Sequence, residues 1–480
     1  MRTRALALLV ATATAGCSSG GDADLATPRP SPATTAPAPA GAAGAAGSGA
    51  AAATSTTAGV DGCPRVPARR EPDPNRPRYT LTLDIEPRAA TVRGTVDVRF
   101  VPDFDSDRII FRLWPNGPRQ LVFGARLLPD GPVTVDGTEV PTTNEDPTKL
   151  VLAPLPARLR PGQARQIRLP FLLTLPQPAR DRISAESDSV RMGSFFPILE
   201  WEPGRGWTNE PATSRFAEAG TAPAADFDLT ITTPGGYDVI ASGASDRPGH
   251  WTATGMRDVS VAVGHFTTMS GTAHVPSPVE VTVGVDRAAG DVPKPYLDRA
   301  IAVLEATSAR FGPYPWPTFS VSVTPGISTG IEYPGHILHG PGTSGDILTH
   351  EVAHQWFYAL VGNNQGRDPW LDEALTTWAE ARYEGTVDDY KATAIPADVR
   401  GRTTSPMTFW DGNQNFFLGA YVQGAQALAA LGTPEKVDCA LRIYAAENAY
   451  RIATPADLFA ALTNVFPEAP ATLARFGIRP

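Results

Sequence analysis

The sequence predicts an α+β protein with two folded regions, an N-terminal region rich in antiparallel β-strands and a mainly helical α/β region after it. Residues 62–275 consist of short segments in which apolar and polar residues alternate between glycine, proline and aspartate turns, a pattern typical of half-buried strands. Residues 276–480 change to apolar residues at helical spacing. The chain has 480 residues, which is long enough for two or three domains of ordinary size.

The first 17 residues have the features of an export signal. Arg2 and Arg4 precede a short apolar run, and small residues then lead to Cys17. This order resembles a bacterial lipoprotein signal, in which Cys17 would become the lipidated first residue. Thr14 stands where such signals usually have a leucine-like residue, so ordinary secretion is the alternative. We expect the protein to be exported, either to the outer face of the bacterial cell membrane through a lipid on Cys17 or into the medium.

Residues 18–61 are almost entirely alanine, glycine, serine, threonine and proline, without an aromatic residue. Such a composition cannot bury enough apolar surface to offset the entropy of the chain. We therefore expect a disordered tether between the signal and the folded part.

Five segments of the N-terminal region show the strand alternation clearly: YTLTLDIEP, ATVRGTVDVRF, RQIRLPFLL, DFDLTITTP and VSVAVGHF. After them, YLDRAIAVLEATSARFG has the apolar spacing of a long helix and FSVSVTP alternates again. Helical patterns dominate the remaining sequence.

The most informative stretch is HEVAHQWFYALVGNNQGRDPWLDE, which spans residues 350–373. On a helix, His350 and His354 lie on one face a turn apart, so both imidazoles can reach one metal ion. Glu351 lies beside them and is available as a general base. Eighteen residues separate His354 from Glu373, enough for a second helix to bring a third ligand to the same ion.

A bare H-E-x-x-H also occurs by chance in unrelated helices, where the histidines cap or pack. The flanking sequence favours the metal site, because it predicts two packed helices. The first is expected from about Asp346 to a stop at Gly362, and the second from Pro369 to Gly385.

HEVAHQWF and the later WLDEA resemble the aminopeptidase N and leukotriene hydrolase family, peptidase family M1, among the gluzincins. The resemblance implies one zinc ion held by His350, His354 and Glu373, a saddle-like β-domain and a thermolysin-like catalytic domain. It also implies cleavage of N-terminal residues from peptides. Larger family members continue beyond the equivalent of Pro480, so we expect a more open cleft that admits longer peptides.

Two further elements of the family motif occur in altered form. Glu332 in the sequence TGIEY matches the glutamate that holds the free amino group of the substrate, although the neighbouring methionine and asparagine are missing. Tyr421 in YVQG matches the tyrosine that stabilises the oxyanion, although the usual glutamate and lysine are missing. Asp372 replaces a usual asparagine. The alternatives are that Glu332 pairs with a surface base and that Tyr421 packs in the core.

The resemblance gives each residue a role that suits its chemistry. Glu351 takes a proton from water and returns it to the leaving amine. Tyr421 donates a hydrogen bond to the oxyanion without adding a charge. His336 and His339 lie nearby in the glycine- and proline-rich stretch HILHGPG, and we expect them to be loop residues or part of the cleft lining.

Cys63 and Cys439 are the cysteines left after Cys17. In an exported protein this parity favours a disulfide, although two unpaired buried thiols would give the same sequence.

The net charge of −9, from 41 basic and 50 acidic residues, offers no basic field for nucleic acid, so peptides are the expected partners. Two hypotheses follow. The favoured one is an exported zinc aminopeptidase. The alternative is a catalytically silent, peptidase-like lipoprotein that binds or scaffolds at the cell surface.

Overall fold

The computed structural model describes residues 62–177, 182–186, 188–214, 221–343 and 345–480. The predicted signal at residues 1–17, with Cys17, and the predicted tether at residues 18–61 lie outside these ranges, so both stay predictions. No helix in the described ranges has the length and apolar character needed to cross a membrane.

The strands are β1 (Arg78–Glu86), β2 (Thr91–Phe100), β3 (Ile109–Arg112), β4 (Arg126–Pro129), β5 (Thr134–Val135), β6 (Thr138–Glu139), β7 (Thr142–Asp146), β8 (Lys149–Leu152), β9 (Arg165–Thr174), β10 (Ile183–Glu186), β11 (Ser189–Gly193), β12 (Ile198–Leu199), β13 (Trp201–Glu202), β14 (Gly206–Trp207), β15 (Ala225–Thr232), β16 (Asp238–Ala241), β17 (Ala244–Arg247), β18 (His250–Met256), β19 (Ser260–Gly264), β20 (Phe266–His274), β21 (Pro278–Asp286), β22 (Thr318–Val323), β23 (Gly330–Tyr333), β24 (His336–His339), β25 (Gly362–Asn363) and β26 (Ile452–Ala453).

The α-helices are α1 (Pro118–Val122), α2 (Pro293–Phe311), α3 (Asp346–Ala353), α4 (Trp370–Glu384), α5 (Val387–Ala392), α6 (Met407–Trp410), α7 (Gln423–Ala429), α8 (Pro434–Asn448), α9 (Pro455–Val465) and α10 (Ala469–Ala474). Short 3-10 turns cover Trp114–Asn116 and Arg287–Ala289, and Phe417–Val422 is π-helical.

The N-terminal region is built on a nine-stranded sheet in the order β17-β18-β15-β1-β2-β9-β5-β6, with β4 also paired to β9. Alternate residues of β1 and β2 are buried, because one face of each strand packs on the core while the other meets solvent. This region also contains two four-stranded sheets, β10-β11-β19-β16 and β12-β3-β8-β7, and the two-stranded sheet β13-β14. The five predicted strand segments all form strands, and the predicted β-rich N-terminal region is confirmed.

A five-stranded sheet in the order β20-β21-β22-β24-β23 leads into the helices. Helix α2 and strand β22 form where the sequence predicts them. Strand β20 pairs with β21 in an antiparallel hairpin, so this sheet begins before residue 275, the predicted domain boundary. The described residues form one compact unit, and the division at residue 275 stays a prediction.

The second predicted metal helix forms as α4 and ends at Gly385, which adopts a left-handed φ of 74°. The first, α3, is shorter than predicted, because it ends at Ala353 rather than near Gly362. After it, Trp356 bonds back three residues to Ala353, whereas Ala359 bonds back five residues to His354. These unequal turns are incompatible with a regular helix. The apolar residues that suggested a longer helix, Trp356, Phe357, Leu360 and Val361, are all buried.

Cys63 and Cys439 form a disulfide with a Cα–Cα distance of 6.0 Å, which confirms the predicted pairing. It joins the first described residues to helix α8 across 376 residues of sequence. A cross-link over so long a loop restricts the unfolded chain strongly and typically contributes about 2–4 kcal/mol to stability.

Asp258 is buried between strands β18 and β19. Its carboxylate accepts hydrogen bonds from Ser194 Oγ at 2.6 Å and from the Val259 amide at 2.7 Å. Burial outweighs these bonds and raises the pKa of Asp258 from 3.8 to about 7.

We expect Asp258 to make folding less favourable as pH rises. The folded protein keeps the Asp258 proton up to a pKa of about 7, whereas the unfolded chain loses it near its ordinary value. The unfavourable contribution of Asp258 to the free energy of folding is therefore absent below about pH 4 and complete above about pH 7. Asp258→Asn removes it, so the free energy of unfolding of the variant, minus that of the wild type, should increase between these pH values in urea titrations. The exposed Asp388→Asn is the control, and a pH-independent difference for Asp258→Asn would contradict the assignment.

Candidate metal centre

Four structural elements bring the predicted site residues together. Glu332 lies on strand β23, and helix α3 carries His350 and Glu351 with His354 at its C-terminal end. Glu373 lies in the first turn of α4, and Tyr421 lies in the π-helical segment, rather than at the start of an α-helix as expected. His350, His354 and Glu373 each offer one ligand atom. These three atoms lie within 4.8 Å of one another.

The two imidazoles present the same ring atom to this point. His350 Nε2 and His354 Nε2 are 3.1 Å apart, and each lies 3.4 Å from Glu373 Oε2. Two imidazole nitrogens and one carboxylate oxygen from packed helices are a donor set typical of zinc sites that leave a position for water. The residues therefore fit a zinc ion.

Hydrogen bonds on the other side of each ring hold the imidazoles in place. His350 Nδ1 lies 2.9 Å from Glu380 Oε2, and His354 Nδ1 lies 3.0 Å from the Phe357 carbonyl oxygen. Because a carboxylate and a carbonyl only accept, each Nδ1 carries the proton and each Nε2 keeps its lone pair for a metal. Tyr390 donates to Glu380 Oε1 at 3.0 Å and so orients that carboxylate.

The sequence analysis missed Glu380 and Tyr390. Glu380 follows Glu373 by seven residues on α4, which is two helical turns, so both carboxylates lie on the same face. That spacing was a usable signal. Tyr390 comes from α5, and no local pattern in the sequence points to its contact with Glu380.

Glu351 is buried against strand β23. A side chain on Gly330 would overlap the Glu351 side chain, so glycine is required for this close approach. Burial and the nearby Glu332 carboxylate raise the pKa of Glu351 to about 8. Glu351 Oε2 is buried without a hydrogen-bond partner among the described residues, which leaves this oxygen available to a substrate, a water or an ion.

Tyr421 contacts the metal ligands directly. Its hydroxyl donates to Glu373 Oε1 at 2.6 Å, and its ring stacks on the His350 ring with 5.8 Å between centroids. Burial and the Glu373 carboxylate hold the pKa of the Tyr421 hydroxyl well above its usual value, so the group keeps its proton and remains a donor. Burial opposes ionisation of Glu373, but the two imidazoles beside it lower the pKa of its carboxyl to about 2.

Asp372 faces away from the ligand atoms and supports the start of α4. Its carboxylate accepts from Gln365 Nε2 at 2.6 Å and from Asn363 Nδ2 at 3.1 Å. Burial and the neighbouring Glu373 raise the pKa of Asp372 to about 7.

Arg257, from the strand-rich region, holds the irregular segment that follows His354. Its buried guanidinium donates to the carbonyl oxygens of Ala359, Leu360, Ala222 and Arg451. Within this segment Tyr358 has a φ of 133°, a conformation that costs energy for a residue with a side chain. The contacts with Ala359 and Leu360 stabilise the backbone directly after this strained residue.

His336 and His339 are not loop residues, as the sequence suggested, but form strand β24 in the core. The strand pairs with both β22 and β23. Neither pairing can be predicted from the composition of the local sequence. His336 lies between the hydroxyls of Ser260 and Ser322 at 2.8 and 2.7 Å, and burial lowers the pKa of each imidazole to about 4. Both are therefore neutral structural residues.

The comparison with known families agrees with this geometry. The profile of the peptidase family M1 domain matches residues 343–475, which include both histidines, Glu351, Glu373 and Tyr421. These residues are therefore similar to the peptidase family M1 domain. The resemblance inferred from HEVAHQWF and WLDEA is thereby confirmed.

Relatives of the M1 domain match a limited stretch of sequence. Human aminopeptidase B is 31% identical over 101 residues, which are 19% of this chain and 16% of the human protein. Rat aminopeptidase B is 32% identical over 80 residues, 15% of this chain and 12% of that protein. The chain thus aligns with less than a fifth of the length of these relatives.

Solved structures match most of the chain. An M1 zinc metallopeptidase from Deinococcus radiodurans has a TM-score of 0.63 at 21% identity and covers 86% of this chain and 95% of its own. A variant of that enzyme bound to a Tyr-Ser-Ala substrate has a TM-score of 0.63 at 22% identity, with 84% and 94% covered. The similarity confirms the predicted two-part fold, with strands before the M1 domain.

The Glu380 contact can be tested through metal affinity. Glu380→Gln removes the charge that orients His350, and we expect zinc to bind about tenfold more weakly. A competition titration with a chromophoric chelator measures the affinity directly. Glu384→Gln, one turn further along α4, is the matched control, because Glu384 bonds Thr349 and Arg299 rather than a metal ligand. Equal affinities for the two variants would contradict the role.

Proposed function

We propose that the chain is a zinc-dependent aminopeptidase that removes N-terminal residues from peptides. The observation that carries this proposal is the position of Glu332. Its buried carboxylate and the ligand atoms of Glu351 and His354 lie within 4.8 Å of one another, next to the three metal ligands. A carboxylate at that point can bind the terminal ammonium of a peptide, so that the first peptide bond lies over the metal.

The names of the similar proteins support the same reaction. Two relatives are called aminopeptidase B, and a structure of the Deinococcus enzyme holds a Tyr-Ser-Ala substrate. A tripeptide with a free amino terminus is the class of molecule that the Glu332 carboxylate would accept in this chain.

The side chains around the metal have complementary tasks. A zinc ion held by His350, His354 and Glu373 supplies a Lewis acid that polarises the scissile carbonyl and makes water more acidic. Glu351 accepts a proton from the attacking water and passes it to the leaving amine, as its unpaired Oε2 allows. Tyr421 remains protonated and can turn its hydroxyl from Glu373 to the developing oxyanion.

The catalytically silent binding protein is the second candidate, but no observation favours it. The base, the three ligands, the amine-binding carboxylate and the phenol are all present and adjacent. The Glu380 contact that orients His350 is also kept, although a protein that only bound peptides would not need it.

Hydrolysis of fluorogenic aminoacyl amides tests the proposed reaction. We expect a chelator to abolish the activity and one equivalent of zinc to restore it. Glu351→Gln should lower kcat by about 10²–10⁴ while zinc still binds, since it removes the proton acceptor. Glu332→Gln should raise KM and reduce the preference for a free amino terminus over its N-acetylated counterpart.

Glu384→Gln again serves as the control, because it alters a half-buried carboxylate of α4 that bonds Thr349 and Arg299 rather than a metal ligand. Activity that survives the chelator, or a Glu351→Gln variant as active as the wild type, would overturn the zinc mechanism. Equal cleavage of free and N-acetylated substrates by the wild type would be compatible with a peptidase but would exclude an aminopeptidase.

We also propose that the enzyme acts outside the cytoplasm, anchored by a lipid on Cys17 or secreted. The Cys63–Cys439 disulfide supports export, because disulfides persist mainly in oxidising compartments. After expression of residues 1–480 in a bacterial host, a lipid-anchored wild type should fractionate with the membrane and Cys17→Ser should not, whereas a secreted wild type should be recovered outside the cytoplasm in soluble form. Mass spectrometry of the mature N-terminus identifies the modification. Recovery of both proteins in the cytoplasm with an intact N-terminus would contradict export.

A further inference from the structure

The helical turn that carries Tyr421 is wider than an α-helical turn. Phe417–Val422 is π-helical, and α7 follows it directly from Gln423. At the junction, the backbone N–H of Gln423 donates to the carbonyl oxygen of Leu418, five residues back, whereas an α-helix would use Gly419, four residues back. Single π turns within helices occur often at functional sites. An additional residue in one turn changes the angle at which side chains leave the helix axis, so the direction of Tyr421 depends on this turn.

The side chain of Gln423 connects the π turn to a neighbouring loop. Gln423 is 2% exposed. Its amide oxygen accepts from the backbone N–H of Gly401 at 2.8 Å. Its amide nitrogen lies 2.7 Å from Thr403 Oγ1 and 3.2 Å from the carbonyl oxygens of Val399 and Gly419. Both ends of this buried amide are therefore paired, which fixes the orientation of the side chain.

The carbonyl oxygen of Gly419 links this side chain to the width of the turn. In an α-helix, that oxygen would accept from the backbone N–H of Gln423. Here the side-chain amide of the same residue reaches it, and the backbone N–H donates to Leu418. The side chain thus takes the acceptor that a narrower turn would use. Without the amide, we expect the backbone N–H to bond Gly419 and the turn to close to α-helical width.

The width of the turn affects the metal centre through Tyr421. The Tyr421 hydroxyl donates to Glu373 Oε1, and the ring stacks on the ring of His350. Helix α7 packs tightly on α4 at the same place, because a side chain on Gly424 would overlap Ala374. A narrower turn would therefore move the phenol relative to the metal ligands even if α7 stayed packed on α4.

We propose that Gln423 is the positioning residue for Tyr421. By occupying the carbonyl oxygen of Gly419, its side chain keeps the π turn open and the phenol directed at the metal centre. The inference rests on the proposed function, in which Tyr421 donates a hydrogen bond to the oxyanion. Because Gln423 acts only through Tyr421, its removal should matter only while the Tyr421 hydroxyl is present.

A double-mutant cycle on kcat, with a fluorogenic aminoacyl amide as substrate, tests this coupling. Tyr421→Phe removes the oxyanion donor and should lower kcat by about 10²–10³. Gln423→Leu should lower kcat by about tenfold or more, because it misplaces the donor, while KM and zinc affinity keep their wild-type values. In the Tyr421→Phe background, Gln423→Leu should cause no further loss, because the hydroxyl that it positions is already absent.

Gln426→Leu is the matched control on the same helix. The Gln426 amide donates to the carbonyl oxygens of Tyr390 and Thr393 and not to the π segment. Its removal should change kcat by the same factor with and without the Tyr421 hydroxyl. A coupling to Tyr421 as large as that of Gln423→Leu would indicate general loosening of α7 and would contradict the proposal.

Two further variants separate the donor and the acceptor of the Gln423 amide. Gln423→Lys keeps a donor for Gly419 but loses the acceptor for Gly401, and we expect it to recover most of the kcat lost in Gln423→Leu. Gln423→Glu keeps the acceptor but has no donor, so its kcat should fall like that of Gln423→Leu. Because Gln423→Glu has nearly the size of the wild-type residue, it replaces Gln423→Leu in the cycle if that variant does not fold.

A Gln423→Leu variant as active as the wild type, or one that lowers kcat equally in both backgrounds, would overturn the positioning role and leave the peptidase activity intact. A wild type without chelator-sensitive hydrolysis would instead remove the proposed function. A crystal structure of Gln423→Leu tests the geometry in either case. We expect α-helical bonding through Gly419 and loss of the bond between Tyr421 and Glu373, and persistence of the π turn together with that bond would overturn the proposal.

Discussion

The fixed orientation of two imidazoles is the constraint on which the metal centre depends. Glu380 and the Phe357 carbonyl oxygen accept the Nδ1 protons of His350 and His354, so both Nε2 lone pairs converge at a separation of 3.1 Å. Without these acceptors, either ring could turn or change tautomer and one ligand would be lost. The burial of α4 matters for the same reason. This helix carries both the ligand Glu373 and Glu380, which orients His350.

Environment gives chemically similar carboxyl groups different tasks around this centre. The two adjacent imidazoles keep Glu373 ionised, and its pKa is lowered to about 2. Burial beside Glu332 has the opposite effect on Glu351, whose pKa is raised to about 8. A ligand must stay charged, whereas a proton acceptor must also be able to hold a proton, so the two environments suit the two roles.

The strand-rich region contributes to the centre by supporting backbone rather than by supplying ligands. Arg257 bonds the carbonyl oxygens of Ala359 and Leu360, which directly follow the strained Tyr358, in the segment that connects His354 to α4. Gly330 allows β23 to approach α3 so closely that Glu351 is buried against the strand. The disulfide then joins the first described residues to α8, and α8 is linked to the metal helix because Asp438 accepts from Trp378 and Arg382 of α4.

Local spacing was enough to predict the β-rich region, helices α2 and α4 and the convergence of His350, His354 and Glu373, because periodicity and the separation of these residues are properties of the local sequence. It failed where distant parts of the chain meet. Helix α3 ends early since buried contacts and Arg257 replace helical bonding after His354, and His339 belongs to a strand because β22 and β23 flank it. The contact of Tyr390 with Glu380, and the closeness of Glu332 to Glu351, likewise arise only when separate elements pack together.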